Sequence, residues 1–220
     1  MIYKVADIMQ EVRVAIDKNN NSAPLAELGD VDTLSIDEII ERKLEDAARV
    51  VISNAPHHLL DSGKAFATSI SWNSSKVKNW GFTQLPDDFL RLVSFQMCDW
   101  SYPITEPITE ENPLYAEQQS KFLGVGGNSE RPIVAIVQYP IGLVLEFYSC
   151  TANNVAVKRA RYIGIPHIEN GNINICEKLK QAVVYYCAYM VDLTLSNIEH
   201  ANAMLALYRD ILGIRLEQQS

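Results

Sequence analysis

The sequence predicts an α+β protein in which N- and C-terminal helix pairs form a helical bundle with an inserted antiparallel β domain. Apolar residues recur at helical spacing at both chain ends, whereas they alternate with polar residues in the middle. The chain has 220 residues, which is long enough to bury a core. We therefore expect residues 1–59 and 164–220 to form the bundle and residues 60–163 to form the β domain.

Two helices are predicted near the N-terminus. Residues 2–17 carry an amphipathic apolar stripe, and the segment 19–24, with three asparagines and a proline, predicts the loop that follows. The second helix is predicted over residues 35–54. Ser35 and Glu38 have the spacing of a capping box, in which each side chain accepts a hydrogen bond from the other residue's backbone N–H.

Strand signals fill the middle of the chain, and residues 85–88 predict a turn. The strand after this turn places four apolar side chains on one face, which predicts a half-buried strand: Phe89, Val93, Phe95 and Met97. Strands are predicted at 64–72, 80–82, 89–97, 133–139, 143–150 and 155–163, with a hairpin at 140–142 and a short proline-started helix at 112–121.

Two further helices are predicted at the C-terminal end, over residues 174–195 and 196–212. Ser196 and Glu199 repeat the capping-box spacing and place the start of the last helix at Ser196. Gly213 then ends that helix. We expect both helices to pack with the two N-terminal helices as one bundle.

The chain is acidic, since 19 Lys and Arg against 27 Asp and Glu give a net charge of −8. Proteins that bind nucleic acid through its phosphates usually carry a basic patch. The local basic cluster here is Lys158, Arg159 and Arg161, and three charges in four residues are more often a solvent-exposed strand face. The composition therefore disfavours tight DNA binding, but it permits loose passage of DNA past an acidic wall.

The cysteines and the apolar segments indicate a soluble protein made in a cytoplasm. Cys98, Cys150, Cys176 and Cys187 stand far apart without a C-x-x-C pair, and three of them have strongly apolar surroundings, which predicts four reduced core residues. The N-terminus lacks the apolar stretch of a secretory signal. The longest mainly apolar run, residues 182–195, is shorter than the about 20 residues of a membrane helix.

Several polar groups are candidates for chemistry, but the sequence places no partner beside any of them. They are His57 with His58, His167, His200, Asp87 with Asp88, Glu110 with Glu111, and the glycine-rich segment 124–127. A metal site needs further ligands, acid–base catalysis needs an oriented partner, and a phosphate loop needs a preceding strand. We expect solvent-facing carboxylates and no catalytic, cofactor-binding or metal-binding residue, so the chain is predicted not to be an enzyme.

Four aromatic residues crowd one part of the predicted β domain: Trp72, Trp80, Trp100 and Tyr102. An aromatic platform for a sugar or a single-stranded nucleic acid is one interpretation. Core packing and subunit contacts are the favoured ones, because aromatic side chains dominate both.

Four stretches of the sequence resemble a known family: LPDDFLRLVSFQMCDW, ENPLYAEQQSK, ERPIVAI and LEFYSC. They are similar to head-to-tail adaptors of short-tailed phages, the tail-tubular-protein-A-like connectors, and most similar to the neck ring proteins of crAss-like phages. The resemblance extends in element order over residues 34–212. It implies a helical bundle around a channel, an outer β domain and a twelvefold ring under the portal, without catalytic residues.

The resemblance therefore implies a virion structural protein at the head-tail junction, made in the host cytoplasm. Its expected partners are copies of itself in a ring, the portal protein and the next tail or neck ring protein. DNA would pass through the lumen without sequence-specific binding, and no membrane or cofactor is involved. Two alternatives stay open, a carbohydrate- or peptide-binding module that uses the aromatic-rich β block, and a bacterial scaffold protein unrelated to phage.

Overall fold

The computed structural model describes residues 1–16, 35–66, 69–73, 79–118, 120, 122, 125 and 127–214. The fold is mixed α and β with antiparallel sheets, as predicted. It divides into a helical unit, formed by Met1–Asp61 and Pro166–Ser220, and a β unit, formed by Ser62–Ile165. The predicted loop at 19–24 and the residues Gly124 and Gly126 lie outside the described residues.

Helices and strands follow in this order within the described part of the chain. The helices are α1 (Val5–Ala15), α2 (Ile36–Asn54), α3 (Pro113–Glu117), α4 (Lys180–Thr194) and α5 (Ile198–Leu212). The strands are β1 (Ile2–Lys4), β2 (Lys64–Ala65), β3 (Ser71–Asn73), β4 (Asn79–Gln84), β5 (Phe89–Met97), β6 (Ile108–Thr109), β7 (Val134–Tyr139), β8 (Gly142–Cys150), β9 (Val157–Gly164), β10 (Ile168–Glu169) and β11 (Asn172–Asn174).

In the helical unit, α4 contacts α1, α2 and α5, and α1 contacts α2. One side of α2 is buried and apolar, including Ile40, Leu44 and Val51. Because α4 has neighbours on several sides, most of its apolar residues are buried: Ala182, Val183, Val184, Cys187, Ala188 and Val191. Burial of these side chains is the main stabilising contribution to this unit.

A small sheet in the helical unit corrects the predicted helix boundaries. Ile2–Lys4 is strand β1, which pairs antiparallel with β11, and β11 pairs with β10. The prediction of a helix from residue 2 is therefore wrong, and α1 begins at Val5. The prediction of a helix from residue 174 is wrong for the same reason, since Asn172–Asn174 pairs with β1 and α4 begins at Lys180.

The two predicted capping boxes have opposite outcomes. Ser35 and Glu38 form one, because the Ser35 side chain accepts from the Glu38 N–H and the Glu38 carboxylate accepts from the Ser35 N–H. The second is wrong: α5 begins after Asn197, which makes no side-chain capping bond. Ser196 has a φ of 59° in the turn from α4, so it lacks the extended backbone that an N-cap residue adopts.

The β unit contains two sheets that share its main core. The strand orders are β2-β9-β5 in the three-stranded sheet and β3-β4-β8-β7-β6 in the five-stranded sheet. Buried residues of both sheets meet in the core: Leu92, Phe95, Met97 and Tyr162 from the former, and Val134, Leu145 and Phe147 from the latter. The predicted hairpin is confirmed, with Tyr139 of β7 opposite Gly142 of β8. One short pair, β6 with β7, is parallel rather than antiparallel.

Strand β5 is buried more completely than predicted. All residues from Leu92 to Met97 are buried, so the prediction of a half-buried strand is wrong. The pairing with β9 shifts between Leu92 and Ser94, which leaves Val93 as an extra residue. Such an irregularity moves later side chains to the other face. Leu92, rather than Val93, therefore joins Phe95 in the core.

The predicted strand at 64–72 is two separate strands. Lys64–Ala65 pairs with β9 of the three-stranded sheet, whereas Ser71–Asn73 pairs with β4 of the five-stranded sheet. The two halves of the predicted strand therefore belong to different sheets. Its alternating sequence reflects two short strands with different partners.

Candidate binding site around Glu146

The histidines singled out in the sequence do not gather in one place. His57 and His58 lie in a short 3-10 turn, His57–Leu59. His167 lies 3.8 Å from a carboxylate oxygen of Glu45. Within the described residues, no group of three or more His, Cys, Asp or Glu side chains is arranged to hold a metal ion.

Asp88 is held by two partners, unlike the solvent-facing carboxylate that the sequence predicts. The Tyr162 hydroxyl donates to its carboxylate at 2.7 Å, and Lys64 Nζ donates at 3.2 Å. Burial opposes ionisation of Asp88, but the bonds from Tyr162 and Lys64 outweigh it and lower the pKa of Asp88. Burial and the Asp88 charge raise the pKa of Tyr162 to about 12. Asp88, which lies just before β5, thus connects to Tyr162 of β9 and Lys64 of β2.

Two of the four aromatic residues predicted to crowd together pack on one phenylalanine, and the other two lie elsewhere. Trp100 is 3% exposed in the core, where it contacts Phe147 edge to face at 5.8 Å between ring centroids. Trp72 packs on the same phenylalanine at 5.6 Å. Trp80 stacks on Tyr148 at 5.3 Å, and Tyr102 is exposed. Core packing, one of the two favoured roles of these aromatic residues, is therefore the role of Trp100, and the four residues do not form one platform.

A carboxylate that no sequence motif indicates, that of Glu146, lies at the centre of a cluster of tyrosines. Glu146 of β8 is 1% exposed, and its oxygens accept hydrogen bonds from three tyrosine hydroxyls. Tyr115 of α3 donates to Oε2 at 3.1 Å, and Tyr139 of β7 donates to the same atom at 3.3 Å. Tyr148 of β8 donates to Oε1. Three separate elements therefore converge on one buried negative charge.

Further aromatic rings extend the cluster across the five-stranded sheet. Phe82 packs on Tyr139 with 5.1 Å between centroids, and Trp80 stacks on Tyr148. Below them lies a small apolar core of Ala135, Val137 and Val144. These residues lie in a cluster separate from the main core, because alternate side chains of a strand point to opposite faces.

Two glutamates, Glu146 and Glu110, make the electrostatic environment of this cluster negative. Burial, the charge of Glu146 and that of Glu110 raise the pKa of Tyr115 and of Tyr139. Both hydroxyls therefore stay protonated and act as donors. No Lys, Arg or His nitrogen within the described chain forms an ion pair with Glu146. The three hydroxyls are its described hydrogen-bond partners, and its charge has no described counter-ion.

Gln118, after the short helix α3, is a buried polar residue without a described hydrogen-bond partner. It follows Tyr115 by three residues, which places both on one side of the short helical turn. The residue is fully buried, and neither atom of its side-chain amide has a hydrogen-bond partner among the described residues. Buried polar groups normally have a hydrogen-bond partner, and none of the described residues supplies one for this amide.

A basic strand lies in the other sheet of the β unit. Lys158 and Arg159 of β9 are exposed, and neither makes an ion pair within the described part of the chain. Arg161 is only partly exposed, and its guanidinium donates to the backbone carbonyls of Ser62 and Gly63. The predicted solvent-exposed strand face is therefore confirmed for Lys158 and Arg159.

The four cysteines and Gly127 are the remaining residues that the sequence singles out. Cys150, Cys176 and Cys187 are buried free thiols, as predicted, whereas Cys98 is exposed, so the prediction of a core residue is wrong for Cys98. Burial raises the pKa of Cys150 and of Cys187 to about 12. A side chain at Gly127 would lie 2.4 Å from Ser149 Oγ, so this glycine packs against β8.

Comparison with known proteins finds no matching family model, and no curated protein matches the chain either. Among the described residues, no helix is both long enough and apolar enough to cross a membrane.

A sequence signal for Glu146 exists, although it is weak. Glu146 stands at an alternate position of an otherwise apolar strand, between Val144 and Tyr148, where burial is expected. Its other partners, Tyr115 and Tyr139, come from two different elements, so only the fold brings them together. Chemically, three hydroxyl donors and the surrounding aromatic rings hold one carboxylate that is closed off from solvent.

Proposed function

We propose that this chain is a head-to-tail adaptor, a ring protein of a short-tailed phage neck. The observation that carries the proposal is the arrangement of the chain: helices from both ends contact each other, while residues 62–165 form a separate β unit. This order agrees with that implied by the sequence resemblance. Head-tail ring proteins of this type act through their surfaces.

In this proposal, α1, α2, α4 and α5 form one helical bundle that faces the channel, and the β unit lies outside. A closed ring joins one patch of each subunit to a different patch of the next. The proposed ring is twelvefold and binds the portal protein on one side and the next tail or neck ring protein on the other. The protein would thus belong to the virion after synthesis in the host cytoplasm.

The negative charge of the chain suits DNA passage. Phosphate attraction slows DNA on basic surfaces, and a net charge of −8 opposes such attraction. DNA would therefore move through the lumen without sequence-specific binding. The proposed role needs neither catalysis nor a cofactor.

Electron microscopy of the purified chain, alone and with the cognate portal protein, tests this proposal. We expect rings of twelve subunits, formed by the chain alone or on the portal. A matched incubation without portal separates intrinsic ring closure from portal-templated assembly. A chain that forms no ring under either condition and does not bind the portal would contradict the adaptor role.

The alternative of a carbohydrate- or peptide-binding module is favoured by one observation, the aromatic side chains around Glu146. Such a module would use the outer surface of the five-stranded sheet. Binding to glycan or peptide arrays by a monomer, lost in Tyr139→Ala but kept in Tyr102→Ala, would support this alternative. Absence of array binding together with ring formation would exclude it.

A further inference from the structure

The two longer strands of the three-stranded sheet carry four positive charges and no negative one. Arg91 lies on β5, and Lys158, Arg159 and Arg161 lie on β9, whereas neither strand contains an aspartate or a glutamate. The chain as a whole has a net charge of −8. These strands are therefore a local exception to the acidic charge of the protein.

Strand register places two arginines of β9 on the outer face of this sheet. Ala160 and Tyr162 belong to the main core, as does Phe95, the residue of β5 opposite Ala160. Because alternate residues of a strand point to opposite faces, Arg159 and Arg161 lie on the face away from that core. Two residues along a strand span about 7 Å, so the two side chains start from neighbouring points of one row.

The positive charges of Lys158, Arg159 and Arg161, which we call the basic row, are not neutralised within the described part of the chain. Lys158 and Arg159 are exposed, and none of the three residues forms an ion pair there. Arg161 donates to the carbonyl oxygens of Ser62 and Gly63. These neutral acceptors use two of the five guanidinium N–H donors, so they orient the Arg161 side chain without neutralising its charge.

The surroundings of the basic row differ from the centre of a protein interface. Protein interfaces usually centre on buried aromatic or other apolar anchors. Within the described residues, none of the large apolar side chains that are exposed lies on β2, β5 or β9. Phosphate groups need no such anchor, because arginine and lysine bind them through charge and hydrogen bonds. Charge complementarity therefore favours a phosphate polyanion over a protein as the partner.

From these observations we infer that the basic row is a contact surface for the phosphate backbone of duplex DNA. Proteins that bind single strands add aromatic side chains on which the bases stack. The aromatic residues of β5 and β9 are Phe89, Phe95 and Tyr162, and all three pack in or against the main core. The outer face therefore offers no stacking platform. Phosphate contacts carry no sequence information, so the binding is independent of sequence.

The contact is weak and depends on salt. Each phosphate neutralised on duplex DNA contributes about −0.9 to the slope of log K against log salt concentration, so the basic row predicts a slope of about −2 to −3. The net charge of −8 repels DNA at longer range and keeps the affinity low. The inference goes beyond the proposed function, because it names a DNA contact on the β unit that is separate from the lumen and independent of ring closure.

Fluorescence anisotropy of a short labelled DNA duplex, titrated with the full chain at several salt concentrations, tests the inference. We expect equal affinity for two duplexes of unrelated sequence. Arg159→Gln should weaken binding about fivefold or more at low salt and reduce the steepness of the salt slope by about 1. Arg131→Gln is the matched control, since it removes the same charge at an exposed arginine of the β unit outside the basic row, and it should bind like the wild type.

Circular dichroism checks that each variant is folded, and Lys158→Gln repeats the test at a second exposed residue of the row. Absence of binding at low salt would overturn the inference. Equal losses in Arg159→Gln and Arg131→Gln would do the same, because net charge rather than the basic row would then hold the DNA. Tighter binding to the single strand than to the duplex would rule out the duplex as partner. Tighter binding to polyglutamate would assign the surface to an acidic protein instead.

The outcomes also separate this inference from the proposed function. Rings formed by a chain that does not bind DNA at low salt would refute the contact and leave the adaptor role intact. DNA binding that is lost in Arg159→Gln, by a chain that forms no ring and does not bind the portal, would support the contact and contradict the adaptor role.

Discussion

His200 of α5 lies against a buried carboxylate of α4: its Nδ1 is 2.7 Å from Oδ2 of Asp192. The side chain of Asp192 is 2% exposed. The same residue anchors the turn between the helices, because its backbone carbonyl accepts from the Asn197 N–H at 2.8 Å. The pair therefore ties α5 to α4 where the predicted capping box does not form.

We expect His200→Ala to destabilise the protein by about 1–3 kcal/mol, since it removes a hydrogen bond from a buried carboxylate. His167→Ala is the control. That imidazole is 53% exposed and 3.8 Å from Glu45, so its loss should cost less than about 0.5 kcal/mol. Urea unfolding followed by circular dichroism measures both. Equal midpoints for the two variants would show that the Asp192 contact does not stabilise the helix pair.

Asp88→Asn should lower stability at neutral pH by about 1 kcal/mol, because the amide cannot accept the same charge-assisted bonds from Tyr162 and Lys64. The pKa of Asp88 is lowered from an ordinary value of 3.8. Its contribution is therefore present above that value and is lost as pH falls through the lower folded-state pKa.

The difference between wild type and Asp88→Asn should accordingly shrink at strongly acidic pH. Asp87→Asn is the control, since Asp87 is the exposed neighbour, and its effect should be small at every pH. Thermal melts across the acid range measure all three proteins. A difference that stays constant with pH would contradict the assigned hydrogen bonds.

Trp100→Ala should destabilise the β unit by about 3–5 kcal/mol, because it removes a buried ring that packs against Phe95 and Phe147. Tyr102→Ala should cost less than about 1 kcal/mol, since Tyr102 is 46% exposed. Denaturant unfolding followed by tryptophan fluorescence and circular dichroism compares them. A folded, stable Trp100→Ala variant with impaired assembly would instead make Trp100 an interface residue.

Local patterns predicted the elements whose signals are long and periodic. The apolar stripe and capping box of α2 and the hairpin of β7 and β8 are examples. Strand β1 has no such signal, because three residues contain too little periodicity and its partner lies near the other end of the chain. The capping box predicted at Ser196 does not form for a related reason: the turn geometry of Ser196 depends on how α5 docks on α4 rather than on the spacing to Glu199.

Local sequence patterns could not predict the Glu146 site for the same physical reason. Its donors belong to α3, β7 and β8, and their proximity follows from sheet register and from the position of α3. Asp88 illustrates the same limit, since Tyr162 is distant in sequence. The sequence around Asp88 predicted a solvent-facing carboxylate, and the sequence around Glu146 predicted no site. In both cases, hydrogen-bond partners come from other elements of the fold.

The last prediction concerns the alkaline stability of the Glu146 cluster. Burial and the charges of Glu146 and Glu110 raise the pKa of Tyr139 above its ordinary value of 10.0, and Tyr115 shifts in the same direction. The stability that these protonated tyrosines contribute is present below pH 10.0 and is lost as pH rises further, because the unfolded chain releases their protons first.

Glu146→Gln removes the buried charge, so both tyrosines should ionise more easily in the folded state. We therefore expect unfolding free energy to fall less steeply above that pH in Glu146→Gln than in the wild type. Glu130→Gln, at an exposed glutamate of the same unit, should keep the wild-type slope. Denaturant unfolding at a series of alkaline pH values gives the three slopes, and identical slopes would mean that Glu146 does not control these tyrosines.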